Sequence, residues 1–485
     1  MRHFFFMLYG IVLAVAPTVA PAAGQITHFI PSDSEVDSTR LVDPEFGYDT
    51  DFDVGISRIE NADGKRNPYF ATALLPEFSY GLYSAGLLLK LHYNLKGGGT
   101  RKEDYDTFSD FLSIIRYIQY AEKREGDRYA RFGELEDATL GYGQFINFFR
   151  NSTSLDNQKR GLEGYYRLGN FQAEAVYSNL LAAEVYGLRG SYKPFFADPS
   201  HRWQFLDVGV SLAGDISRQG TLVNPDLPGF PFLTDPSLQR PDVLDTPVGE
   251  RASRIAMVGV DFGLPMLTTE TSQTLAYLEL AQILNYGRGV SVGVLGDWML
   301  ENDLRLSAQL EQRLLGKQYL ASYFNALYEV ERFRRVGLDA DGETIDALNT
   351  KQNLLLSYDR ARLGTYLSMS WRFQRALQFT WSYEYIWNQD NNGWFHLDAR
   401  VKSKDLPVFV RFSFDQVRAQ PLQAQTSTGR NITLLRFDGA YQFFKYIMLG
   451  FGFRHSYEPV FDRGIPTGLK RRRRVEPRMR VILPL

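Results

Sequence analysis

The chain has 485 residues, 54 Lys and Arg against 56 Asp and Glu, a formal charge of −2 and no cysteine. The balance of charge gives no sign of a nucleic-acid partner. The missing cysteines exclude disulfides, thiolate metal sites and cysteine nucleophiles.

Met1–His3 is a short basic start, Phe4–Ala16 is apolar, and Ala20–Ala23 offers small residues for cleavage. This is the layout of a secretory signal peptide over 1–23, and the apolar stretch is short for a membrane span. Residues 24–46 read as a solvated acidic tail, on the periplasmic side if the chain is exported. Asp33, Glu35, Asp37, Asp43 and Glu45 fall within it, in a spacing that matches no calcium loop.

No later stretch approaches the eighteen apolar residues of a helical span. The rest of the chain instead alternates apolar and polar residues with period two. Sixteen strands stand out: Leu82–Tyr93, Phe111–Ala121, Gly161–Leu168, Phe171–Leu180, Trp203–Asp215, Arg254–Leu264, Thr274–Leu284, Leu304–Arg313, Tyr319–Phe333, Leu363–Trp371, Leu377–Trp387, Trp394–Val401, Pro407–Phe414, Thr433–Phe443, Tyr446–Ser456 and Arg478–Leu485. Weaker candidates lie near 47–58, 69–79, 128–150, 183–192 and 289–299.

The C-terminal third shows the alternation best. Leu377, Phe379, Trp381, Tyr383 and Tyr385 share one face of their strand, opposite Gln378, Thr380, Ser382 and Glu384. Val408, Val410, Phe412 and Phe414 oppose Arg411, Ser413 and Asp415. Lipid cannot satisfy an open sheet edge, so apolar-out strands without a spanning helix imply a closed wall. The expected fold is therefore all-β: a transmembrane antiparallel up-and-down β-barrel over 47–485, with about 18 strands (roughly 16–22) because such barrels carry an even number. A soluble β-sandwich burying the same faces is the other reading.

Counting back from a periplasmic C-terminus puts the long connections 457–475, 417–429 and 335–355 outside. The proline-rich 217–252 joins them only if 289–299 is not a strand or if another strand is miscounted between 253 and 334. That segment either narrows the lumen or covers the barrel mouth.

The inward phase of the C-terminal strands is rich in charge: Arg362, Arg372, Asp398, Arg400, Lys402, Arg411, Asp415, Arg436, Asp438, Arg454, Arg478 and Arg480. Such charges either set an anion preference in a pore or pair across the lumen and brace the wall. Lys470, Arg471, Arg472, Arg473 and Arg474 form a surface basic cluster, expected in the last extracellular loop. There it either meets lipopolysaccharide phosphates or an anionic solute, or is a solvated charge run with no specific partner. The six histidines show no metal-ligand spacing. Neither a catalytic set, a cofactor site nor a metal site is predicted.

Three short motifs carry a resemblance. Arg131-Phe132-Gly133, Leu140-Gly141-Tyr142-Gly143 and Arg160-Gly161-Leu162 together resemble a pattern in porin-like and polysaccharide-export-type outer-membrane barrels. The resemblance implies that the region between, 134–159, packs into the lumen. The chain departs from such barrels in lacking a terminal aromatic, although Met479, Val481, Leu483 and Leu485 keep the outward phase. The expected function is that of a non-enzymatic, porin-like channel in the outer membrane of a Gram-negative-type bacterium, passing small solutes or ions. The alternative is a plugged barrel with a structural, adhesion or secretion-complex role.

Overall fold

The computed structural model describes residues 46–482, apart from 61–65, 106–107, 122, 124–125, 153–157, 183, 199–200, 202, 217–253, 270, 301–303, 333–350, 357, 374–375, 388–392, 403–406, 420–432, 445–446 and 463–464. The leader 1–23, the tail 24–45 and the segment 217–252 lie outside these residues. Phe46, assigned to the tail from the sequence, already belongs to the first strand.

The strands are β1 (Phe46–Glu60), β2 (Arg66–Tyr80), β3 (Tyr83–Leu87), β4 (Leu89–Asn94), β5 (Ile115–Tyr120), β6 (Arg128–Gly133), β7 (Gly161–Leu168), β8 (Phe171–Tyr177), β9 (Val185–Tyr192), β10 (Asp207–Asp215), β11 (Ile255–Thr268), β12 (Ser272–Ile283), β13 (Arg288–Leu300) and β14 (Leu304–Leu315). They continue as β15 (Arg362–Phe373), β16 (Leu377–Ile386), β17 (Gly393–Lys402), β18 (Val408–Ala419), β19 (Thr433–Phe444), β20 (Ile447–Asp462) and β21 (Ile465–Ile482). Short helices α1 (Phe108–Ser113), α2 (Tyr328–Glu331) and α3 (Lys351–Leu356) sit in two of the connections.

Among the described residues every strand pairing is antiparallel and, with β3 and β4 taken as one stave, joins sequence neighbours with one exception. The exception is the joint between β1 and β21, where Asp51–Gly55 pairs with Ile482–Arg478 and carries the ladder back to its start. β3 and β4 both pair with β2 and are separated only by Leu88, so they are halves of one strand. Among the described residues the wall is thus an up-and-down barrel of twenty staves, an even number as such barrels require.

Alternation sorts the side chains as the pleat demands. On β16, Thr380, Ser382, Glu384 and Ile386 are buried. Outside, Val210, Val292, Leu314 and Phe451 are half or more exposed. An exposed apolar surface of this extent is unfavourable in water and is the surface a barrel presents to lipid.

Three strand expectations need correction. Phe111–Ala121 is the end of α1 followed by β5, with a break at Ile114. The strand predicted from Trp203 begins at Asp207, after a turn. Tyr319–Phe333 is not a strand: β14 ends at Leu315, and the chain through Arg332 is irregular apart from α2. All five weaker candidates do contain strands, including 289–299 as β13.

The loss of Tyr319–Phe333 and the gain of 289–299 settle the open parity. At the end of the barrel where β1 begins, most connections are short: 81–82, 169–170, 269–271, 301–303, 374–376 and 445–446. At the other end lie 95–114, 134–160, 216–254, 316–361 and 420–432, so the proline-rich segment joins the other long ones. The 457–475 loop is also corrected. β20 and β21 run to Asp462 and from Ile465, and Lys470–Arg474 lies within β21, with Glu458 opposite Lys470.

Candidate functional site

The lumen is shaped by two segments that leave the wall and fold inward. The first departs at Gly133, whose φ is +138°, and a Cβ there would lie 2.4 Å from the Arg116 carbonyl oxygen. Only glycine makes that exit without strain. Arg131 beside it donates to Gln119 (2.8 Å) and covers the Tyr117 ring. The chain then forms a hairpin, with Ala138 and Phe149 exchanging backbone hydrogen bonds of 3.1 and 2.8 Å. It returns at Arg160, which donates to the carbonyls of Ile115 and Ser113 at 2.7 Å each. The motifs Arg131-Phe132-Gly133 and Arg160-Gly161-Leu162 are therefore the exit and re-entry of an inserted loop, and 134–152 packs within the barrel.

The second inserted segment is 316–332. It bridges the first in parallel at Ile146 and Phe324, where Asn147 N–H donates to the Phe324 carbonyl (3.0 Å) and Phe324 N–H to that of Phe145 (2.9 Å). Leu135, Ile146, Phe149, Tyr319, Tyr323 and Phe324 are buried to within 1% of complete, against Val185, Met257, Ile283 and Leu315 of the wall. One half of the lumen is thus an apolar core. Several of its buried charges are paired: Arg313 lies between Glu311 (2.5 Å) and Glu384 (3.0 Å), and Lys159 between Glu184 and Glu329.

The other half is different. A cavity of about 670 Å³ lies between the inserted loop and the strands β1–β6 and β17–β20. Lys90 and eight arginines line it, against the five carboxylates of Asp53, Glu77, Glu134, Glu136 and Asp438. The loop is clamped to the β17–β19 wall by reciprocal charges. Glu136 of the loop meets Arg411, Arg400 (3.2 Å) and Arg436 (4.0 Å). Arg150 of the loop meets Asp415 (3.0 Å) and Asp398 (3.6 Å). Burial by itself raises the Glu136 pKa, but Arg411 and Arg400 outweigh it and hold the carboxyl well below its usual range. Asp415 also shares a hydrogen bond of 2.6 Å with His396 Nδ1, and the His396 ring stacks on Phe148.

The residues predicted to line the lumen fall into groups. Arg400, Arg411, Arg436, Asp438 and Arg454 come together on the cavity wall. Asp398 and Asp415 are buried beneath Arg150. Arg362 sits apart: it donates to the Tyr319 carbonyl of the second inserted segment and lies over the Tyr358 ring at 3.5 Å. Arg372 is half-buried at the far end of β15, opposite Arg305. The side chains of Lys402, Arg478, Arg480 and Lys470–Arg474 are outside the described ones. Sequence reasoning does not single out Glu136 and Arg150, the two loop charges on which the clamp turns, because single charges in an irregular segment carry no periodicity.

Neither a family model nor a curated protein matches the chain. Among solved structures it is similar to Pseudomonas aeruginosa OccK11 (10% identity, TM-score 0.28, covering 91% of this chain and 96% of that one). It is also similar to Acinetobacter baumannii OccAB3 (8%, 0.28, 90% and 99%). A third is Escherichia coli Wzi, a carbohydrate-binding β-barrel involved in group 1 capsule assembly (10%, 0.29, 93% and 87%). At these scores the likenesses add nothing to the strand pairing, which establishes the barrel by itself.

Proposed function

We propose that the protein is a loop-constricted channel in the outer membrane of a Gram-negative-type bacterium, passing small solutes or ions with a preference for anions. The observation that carries this reading is the cationic cavity within the lumen, beside the inserted loop. Fixed positive charge at a narrow point concentrates anions and repels cations. Neither a reaction nor a cofactor enters this reading. The short connections then face the periplasm and the long ones the exterior, as is usual for such barrels. Lys470–Arg474 lies in β21 ahead of the Arg478–Ile482 seam, and in this reading its partners are lipopolysaccharide phosphates or anionic solutes.

One observation favours a second reading, a plugged barrel with a structural or assembly role. The inserted segments fill half of the lumen with residues as buried as a soluble core. Single-channel conductance in planar bilayers, with reversal potential in a salt gradient, separates the two. Stepwise conductance with anion preference supports the channel. Confirmed insertion without conductance refutes it and supports the plugged barrel.

A further inference from the structure

The cavity wall opposes like charges in a way that sheets usually avoid. Arg400 and Arg411 are direct cross-strand partners, and so are Arg436 and Arg454. Like charges directly opposite are destabilising unless an anion lies between them. Two of the four guanidiniums are fixed from behind. Arg400 Nε donates to Asp398 at 2.8 Å, and Arg436 Nε donates to Asp438 at 2.7 Å. Their terminal nitrogens are left to converge, with those of Arg411, on the Glu136 carboxylate. Arg411 Nε is buried with no hydrogen-bond partner. The arrangement is a preorganised oxyanion receptor, since guanidinium forks match the geometry of carboxylate, sulfate and phosphate. Its present occupant is a side chain carried on a loop, and the receptor borders the cavity.

We propose that Arg400, Arg411, Arg436 and Arg454 form an exchangeable binding site for divalent oxyanions, in which Glu136 is a tethered occupant that an entering carboxylate, sulfate or phosphate displaces. The site deepens the channel reading by naming the solute class, and binding at it is measurable whether or not the barrel conducts. The tethered carboxylate weakens binding by competition, so the native site exchanges rapidly, as a permeation site needs. Arg150, held by Asp415 and Asp398, keeps the loop in place while Glu136 is released.

The test is calorimetric titration of the purified barrel with sodium sulfate, and separately with succinate, at constant ionic strength. Native protein is expected to bind weakly. Glu136→Gln removes the competitor and is expected to bind about tenfold tighter, and Glu136→Gln with Arg411→Gln to lose that gain. Glu136→Asp keeps the charge but withdraws it by one methylene; it is expected to fall between native and Glu136→Gln, and it serves if the neutral variant does not fold. Equal binding by native protein and the folded Glu136 variants overturns the proposal, as does tight binding that survives loss of Arg411. A barrel that binds sulfate as described but does not conduct keeps this site and refutes the channel. A conducting barrel whose Glu136 variants bind no tighter does the reverse.

Discussion

The two halves of the lumen are closed by the same loop and closed differently. Toward β7–β15 the loop presents Leu135, Ile146 and Phe149 and is held mainly by packing, with Lys159 paired to Glu184 and Glu329 behind it. Toward β17–β19 it presents Glu136 and Arg150 and is held by charge. Apolar contacts have no ionic competitor and exclude solvent. A charged contact beside a cavity stays open to competition from any ion that enters. The lumen is therefore fixed on one side and able to exchange on the other: the packed half is scaffold, and the charged half is where solutes meet the protein.

That contrast is open to attack from both sides. The largest effect is expected in the packed half, where Phe324→Ala leaves a cavity at the crossing of the two inserted segments. It should cost about 3–5 kcal/mol in denaturant unfolding and raise any measured conductance. A neutral result would mean the core does not hold the plug. Arg150→Ala strips the buried Asp415 of its loop partner and should cost about 3 kcal/mol. It should also increase open-state current noise while leaving the packed half protected from hydrogen exchange. Loss of protection at Phe324 as well would show that the halves are not separable.

Gly133→Ala tests the exit that both halves share. With φ at +138° and a backbone oxygen 2.4 Å from the new Cβ, it should cost about 1–3 kcal/mol. Gly169→Ala, also at positive φ but with nothing within 4 Å of the new Cβ, should cost about 1 kcal/mol. Thermal melts of the pair check the order.

The smallest effect is on pH. Glu136 has a folded pKa below its unfolded one. Its contribution to stability is therefore complete above the ordinary glutamate value of 4.5 and is lost as pH falls through the folded value. Glu136→Gln should flatten that part of the acid-side stability curve, and an unchanged curve would place the dependence on another carboxylate.

The wall is legible because a lipid-facing strand leaves one phase apolar and the other polar, as Leu377–Ile386 does. The same rule, applied more strictly, exposes the misreading of Tyr319–Phe333. There Tyr319, Ala321 and Tyr323 occupy one phase and Leu320, Phe324 and Ala326 the other. A segment apolar on both phases is buried on both sides, which suits an insertion and not a wall. Phe111–Ala121 misleads for a different reason: α1 is too short to show a helical period before β5 begins. Lys470–Arg474 reads as a loop because five successive charges break alternation. Its backbone nevertheless pairs in register with β20, from Lys470 opposite Glu458 to Arg474 opposite Arg454.

The inserted loop is legible through its glycine and arginine motifs, which mark geometry that few residues tolerate. The clamp is not, because it is a contact between positions far apart in sequence. Glu136 meets Arg411 only after β7 to β18 have carried the chain around the barrel.

The joint between β1 and β21 has a consequence for how the molecule is made. Asp51 and Ile482 are paired across almost the whole length of the chain, so the ring shuts through its most distant contact. Contacts of that separation form slowly, since chain closure must precede any gain from it. Until then the first and last strands each expose a row of unpaired amides to whatever lies beside them. Assembly of this barrel is therefore a race between self-closure and capture by a neighbour, and it is won fastest where something holds the two ends together.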